Sequence, residues 1–240
     1  MASILYKNDL LAKMISKFVE AAKNVSAGGF AAGRCGAMVL DVTSCMPENA
    51  ETKAAISPEF PLKREMRGLK DRFFYTTAYR CSLEQFSRTP MDYGSIIRIT
   101  PDCKGFETIA DNFVKFPREL DIFLSAYSYV TDARMNSLCF IHSYPMELEL
   151  AMRRLDFDAE KFLSAAESFS PDQVWTYKDR LTVIDKSEEN FEEKISHALC
   201  GKTNVFVPKY GLYTFGIDSL AASDKIHAIN LAAKYINRVY

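Results

Sequence analysis

A short apolar run, Leu138 to His142, lies between two stretches whose hydrophobic residues recur at helical spacing. Leu120, Phe123, Leu124 and Tyr127 form the first stretch; Met146, Leu150, Met152 and Leu155 form the second. The pattern predicts a strand held between two helices. Side chains alternate along a strand, so His142 and residue 144 share a face. A His-x-His ending would aim two imidazoles at one point, which is half of a metal site. Here the second position holds Tyr144.

The same periodicities run through the rest of the chain. Leu10, Leu11, Met14, Ile15, Phe18, Val19 and Ala22 predict a helix over about 7–24, ending before Gly28-Gly29. Ala37 to Val42, Phe73 to Tyr79 and Ser95 to Thr100 read as strands, with Gly94 before the last and Pro101 after it. Ala159 to Phe169 reads as helix, Leu181 to Ile184 as strand, and Phe191 to Leu199 as an amphipathic helix with Gly201 at its C-terminal end. Val205 to Val207 and Leu212 to Phe215 are strands around Lys209-Tyr210-Gly211, and Ser219 to Val239 is the last helix. Residues 47–68 are polar and broken by Pro47, Pro58 and Pro61, as in a long loop or insertion. Strands and helices alternate irregularly, with neither a repeat nor a linker. The expected architecture is a single α/β domain over 1–240. Its three layers, α/β/α, surround a central mixed, mainly antiparallel sheet.

Composition narrows the function classes. A chain of 240 residues, 48% hydrophobic, can bury one sizeable core. Its 30 basic and 31 acidic residues leave a net charge of −1, which argues against nucleic-acid and anionic-membrane partners. A few local cations would still suffice for a small phosphorylated molecule. The six cysteines form no C-x-x-C pair and read as reduced thiols of an intracellular protein. Cys139 and Cys200 read as buried small hydrophobes. No signal-peptide core and no apolar run of about 18 residues is present, so a cytoplasmic location is expected.

Four segments, in order, resemble the class II aldolase/adducin family, and its rhamnulose-1-phosphate aldolase branch most closely. Gly28-Gly29-Phe30-Ala31-Ala32-Gly33-Arg34 is similar to the family's Gly-Gly-Asn loop, which carries a hydroxyl residue and a closing Arg. Phe116-Pro117-Arg118-Glu119-Leu120-Asp121-Ile122-Phe123 is similar to a motif that starts at Pro, has Ser-Glu-Leu in its middle and ends at His. Ile141-His142-Ser143-Tyr144 stands where the family has His-x-His, and Lys209-Tyr210-Gly211-Leu212 where it has His-Gly. The resemblance implies three histidines on zinc, a ketose 1-phosphate substrate, a glutamate moving the proton and a glycine-rich loop on the phosphate. It also implies a homo-oligomer, a tetramer in the usual case.

Carried over residue by residue, Glu119 matches the acid/base glutamate and His142 the first zinc ligand. Tyr144 and Tyr210 stand at the other two ligand positions, and Phe123 replaces a further histidine. Gly28, Gly29 and Arg34 remain of the anion loop, where Phe30 and Ala32 have lost polar groups. Arg118, in place of a serine, offers a bidentate contact to an anion, or else is a surface cation at a helix start.

Phenols ionise near pH 10, so Tyr144 and Tyr210 are poor zinc donors at neutral pH. No cofactor is therefore expected. Zinc, another divalent ion or ferric iron is the alternative, with His142 as ligand only if a metal is retained. Glu119 reads as a first-turn glutamate or as retained acid/base, and His142 as a satisfied strand-end histidine. The two phenols are expected to bury their rings and hydrogen-bond to His142 or Glu119. His197 and His227 read as helix-surface residues, and Glu147 and Glu149 as helix starters or an acidic cluster with Glu119. Two functions follow. One is a non-catalytic binding or structural homologue that has lost zinc-dependent aldol cleavage. The other is a lyase on a phosphorylated or acidic sugar, with a centre remodelled around Glu119, His142, Tyr144 and Tyr210.

Overall fold

The computed structural model describes residues 8–29, 36–47, 50–54, 66, 68–109, 116–129, 138–169, 181–200 and 204–239. The strands among these residues are β1 (Ala37–Asp41), β2 (Lys53–Ala54), β3 (Phe73–Thr77), β4 (Gly94–Ile99), β5 (Phe106–Thr108), β6 (Cys139–Ser143), β7 (Leu181–Val183), β8 (Asn204–Val207) and β9 (Gly211–Gly216). They form one sheet in the order β2-β5-β4-β3-β1-β6-β9-β8-β7. Only the β7–β8 pairing is parallel among the described strands. The mixed, mainly antiparallel sheet of the sequence reading is therefore present.

Among the described residues, eight α-helices flank it: α1 (Asp9–Ala27), α2 (Leu83–Arg88), α3 (Pro90–Tyr93), α4 (Glu119–Tyr129), α5 (Met146–Arg154), α6 (Ala159–Glu167), α7 (Phe191–Cys200) and α8 (Ser219–Val239). Strand alternation divides the core in two. Met38, Leu40, Tyr75, Cys139, Ile141 and Leu212 pack with Phe18 of α1, Met152 of α5, Phe162 of α6 and Ile229 of α8. Ala37, Val39, Phe74, Phe140, Tyr213 and Phe215 pack with Phe123 of α4 and Ile195 of α7. Each buried Phe or Leu contributes about 1.5–3 kcal/mol, so both helical layers are needed to cover the sheet.

The differences from the expected elements are local. Helix α1 runs to Ala27 because Val25 continues the buried stripe of Phe18 and Ala22; Asn8 caps its start by accepting from the Leu11 N–H at 3.0 Å. Helix α2 was not anticipated, although Ser82 and Gln85 form a capping box there. Strands β2 and β5 are too short to show alternation; β2 lies inside the polar 47–68 segment, most of which falls outside the described residues. Gly201 also lies outside them, as does Cys35. Cys200 is half-buried at the end of α7 rather than fully buried, because it faces the Tyr129 carbonyl at the edge of the core.

Two registers place the site. His142 of β6 sits opposite Ala37 on β1 and opposite Tyr213 on β9. Like Phe140, it points to the face covered by α4, whose first residue is Glu119.

Candidate functional site

His142 is 1% exposed, and both of its ring nitrogens meet an acceptor. Nε2 lies 2.7 Å from the main-chain carbonyl of Tyr210. A carbonyl oxygen only accepts, so Nε2 carries the proton and donates it. Nδ1 lies 3.3 Å from Glu119 Oε1, within ion-pair reach though off the line of a hydrogen bond. The ring stacks on Tyr213 with centroids 4.2 Å apart and planes at 17°. Tyr144 covers its other side at 4.7 Å and 59°.

The β8–β9 turn makes this possible. The Tyr210 N–H bonds the Val207 carbonyl at 2.9 Å, and Lys209 takes a positive φ of 68°. Gly211 follows at φ 104°, a conformation that side chains resist. A Cβ there would meet Ser143 O at 2.2 Å, Tyr144 Cδ1 at 3.1 Å and His142 Nε2 at 3.3 Å. Glycine is required for the Tyr210 carbonyl to approach the imidazole.

Electrostatics bind Glu119 to this ring. Burial by itself would raise its carboxyl above the ordinary range. The adjacent His142 imidazole, and more weakly the Arg118 guanidinium, outweigh burial and hold it below. Tyr213 is buried, and burial, followed by the Glu119 charge, pushes its phenol well above the ordinary value. It is a neutral donor at any physiological pH. Tyr213 was missed in the sequence; its signal is the β6–β9 register, which sets it across from His142.

Other expected site residues are distributed unevenly. Glu119, His142 and Tyr144 come together, and exposed Arg118 precedes the pair. Tyr210 joins them only through its main chain. Its phenol is 37% exposed, touches Lys186 Nζ, and lies under that ammonium at 4.0 Å from the ring centroid. The expectation that the Tyr210 hydroxyl bonds His142 or Glu119 is thus corrected: the turn spends the carbonyl inward and swings the ring outward. Gly28 and Gly29 close α1, in the layer on the other side of the sheet. Arg34 lies outside the described residues.

Nor do Glu147 and Glu149 form an acidic cluster with Glu119. Glu147 accepts from Asn237 Nδ2 at 2.8 Å, while Glu149 accepts from Arg153 Nε and from the Lys209 N–H, each at 2.9 Å. His197 is exposed and stacks on Tyr129 at 4.5 Å, away from the site. His227 lines a separate groove on α8 with Asp224 and Lys234.

A divalent metal does not fit the residues present. The Nε2 lone pair is replaced by a proton committed to Tyr210, and Nδ1 faces a carboxylate. Among the described residues, no three His, Cys, Asp or Glu side chains converge on a point that could hold an ion. Tyr213, stacked on the ring, is held in its neutral form by burial and gives zinc no charged donor.

Comparison with known proteins follows the same lines. No family model matches the chain. It is 24% identical over 243 residues to rhamnulose-1-phosphate aldolase of Bacteroides thetaiotaomicron, covering 97% of this chain and 88% of that protein. The sugar-phosphate aldolase structure from Thermotoga maritima superposes with a TM-score of 0.77 at 18% identity, covering 95% of each chain. The L-fuculose-1-phosphate aldolase from Thermus thermophilus gives 0.54 at 11% identity, covering 95% of this chain and 94% of that one. No helix among the described residues is long and apolar enough to cross a membrane. Sequence similarity over most of the chain and the shared fold agree: the chain is similar to a rhamnulose-1-phosphate aldolase and has the fold of the solved sugar-phosphate aldolases.

Proposed function

We propose that this chain keeps the aldolase scaffold without zinc-dependent aldol cleavage, and binds a small phosphorylated or acidic sugar as a non-catalytic or structural homologue. The observation that carries this reading is the 2.7 Å bond from His142 Nε2 to the Tyr210 carbonyl. The one imidazole left at the expected ligand positions is used to hold a turn. Sugar phosphates are the substrates in the names of its relatives, which supports the ligand class. On this reading the protein needs no cofactor, is cytoplasmic and assembles as a homo-oligomer, a tetramer in the first instance.

A second reading is favoured by the retained Glu119–His142 pair beneath Tyr144. Here the chain is a metal-independent lyase. Glu119, oriented by His142, takes the proton from the substrate hydroxyl, and Tyr144 donates to the developing enolate oxygen. Arg118 would hold the anion, and Tyr210 would act through its carbonyl on His142.

Purified protein prepared without added metal separates the two. Zinc and iron are measured per chain, rhamnulose 1-phosphate binding by calorimetry, and its cleavage by release of dihydroxyacetone phosphate. Binding without cleavage supports the first reading. Cleavage that survives chelator and is abolished in Glu119→Gln supports the second. Cleavage that requires stoichiometric zinc overturns both.

A further inference from the structure

Tyr144, whose ring lies 4.7 Å from that of His142, also lines a second space. A cavity of about 120 Å3 lies on its outer side, walled by Pro145, Met146, Glu149, Arg153, Phe206, Lys209 and Gly211. Phe206 is fully buried and gives the cavity an apolar floor.

Its charges are unbalanced. Arg153 and Lys209 are the cations of the lining, and Glu149 is its one carboxylate. Both Glu149 oxygens are already used, Oε1 by Arg153 Nε and Oε2 by the Lys209 N–H. Among the described residues, neither the two terminal nitrogens of Arg153 nor the Lys209 ammonium has a hydrogen-bond partner. The wall at Pro145 and Met146 is the start of α5, which no side chain caps, so its first amides add to the positive potential. Asp185, outside the lining, feels the Lys209 charge, and Lys186 sits over the Tyr210 ring. A space with surplus donors, a net positive lining and a dry floor strengthens its hold on an oxyanion.

We propose that this cavity is an anion subsite, in which Arg153 and Lys209 hold the terminal phosphate or carboxylate of a small sugar that reaches past Tyr144 toward Glu119 and His142. The inference rests on the reading of the chain as a binder of phosphorylated or acidic sugars. It adds where the charged end sits, and it assigns specificity to Arg153, outside the four resembling segments, and to Lys209, next to the third ligand position. Glu149 is a positioning residue: it presents Arg153 and pins the turn that carries Lys209.

The test is calorimetric titration of the full chain with inorganic phosphate and, separately, with glycolate; the tighter of the two identifies the head group. Arg153→Gln and Lys209→Gln should each weaken that anion about tenfold or more, the loss of one charge-assisted contact. Arg153→Lys should recover part of the loss. Glu149→Gln leaves one acceptor oxygen for the two donors that Glu149 serves, loosens Arg153 or the Lys209 turn, and should weaken binding several-fold. Circular dichroism of each variant confirms the fold. Unchanged affinity in both Gln variants overturns the subsite, as does failure of both anions to saturate the wild type. Anion binding that depends on Arg153 with no binding of rhamnulose 1-phosphate upholds the subsite and overturns the sugar reading. Sugar binding indifferent to Arg153 and Lys209 does the reverse.

Discussion

Replacing Gly211 by alanine tests the geometry on which the site depends. Two effects add at this position. The backbone stands at φ 104°, where a residue with a Cβ stores about 1–3 kcal/mol of strain. The new methyl would sit 2.2 Å from Ser143 O, a main-chain atom fixed by the β6–β9 ladder, so backbone must move. Overpacking of that kind costs about 1–3 kcal/mol. The sum is near 4 kcal/mol, which lowers Tm by about 8–16 °C in a chain of this size. Gly29→Ala is the control. Gly29 also has a positive φ, 76°, but nothing lies within 4 Å of its added Cβ. That variant carries the strain alone, about 1–2 kcal/mol. Thermal and urea unfolding of both measure the difference. A Gly211→Ala protein within about 1 kcal/mol of Gly29→Ala would show that the chain does not approach Ser143 closely, and the His142–Tyr210 bond would lose its basis.

Other consequences are open to measurement. Asp41 is fully buried and accepts from Arg72, Tyr127 and the Thr43 amide and hydroxyl. Asp41→Ala should cost about 3–5 kcal/mol in urea unfolding. It should leave sugar binding unchanged in the folded protein, since Asp41 ends β1 at the side opposite Ala37 and His142; weakened binding would contradict that separation. Because the Glu119 carboxyl is held below its ordinary value in the fold, its contribution is complete above about pH 4.5 and is lost as pH falls through the lowered value. The stability gap between wild type and Glu119→Gln should therefore be constant at neutral pH and close in acid; a gap that widens in acid would reverse the assignment. Tyr75 and Tyr213 are buried with phenols pushed well up, so ultraviolet titration should leave them protonated past pH 10 until the protein unfolds. Their ionisation together with the exposed tyrosines would show an open site.

The periodicity of the chain exposed the strand at the centre of the fold and the helices on either side. Each of these elements buries a long, regular stripe, and such stripes survive as pattern. The helix at Leu83–Arg88 and the strands at Lys53–Ala54 and Phe106–Thr108 span too few residues for a period to register. Of the site, Glu119, His142 and Tyr144 were legible because they fall on ordered motifs. The role of Tyr210 was not. Nothing in a residue's identity tells whether its main chain or its side chain will face a site, and the positive φ at Lys209 and Gly211 decided it. Tyr213 was hidden for a related reason: an aromatic in an alternating strand looks like core until the neighbouring strand's register is known. Arg153 and Lys209 lie 56 residues apart and meet only through Glu149, a contact between a helix and a turn that no local pattern encodes.

The protonation of His142 under a zinc challenge bears most directly on the site. The chain has three histidines, so long-range proton–nitrogen spectra of labelled protein are resolvable, and His142→Gln identifies the signal by its loss. Nε2 should carry a slowly exchanging proton, and its resonance should stay in place when zinc is added at one equivalent. An unprotonated Nε2 that shifts on zinc addition, with the metal retained through dialysis, would contradict the commitment of that nitrogen to Tyr210.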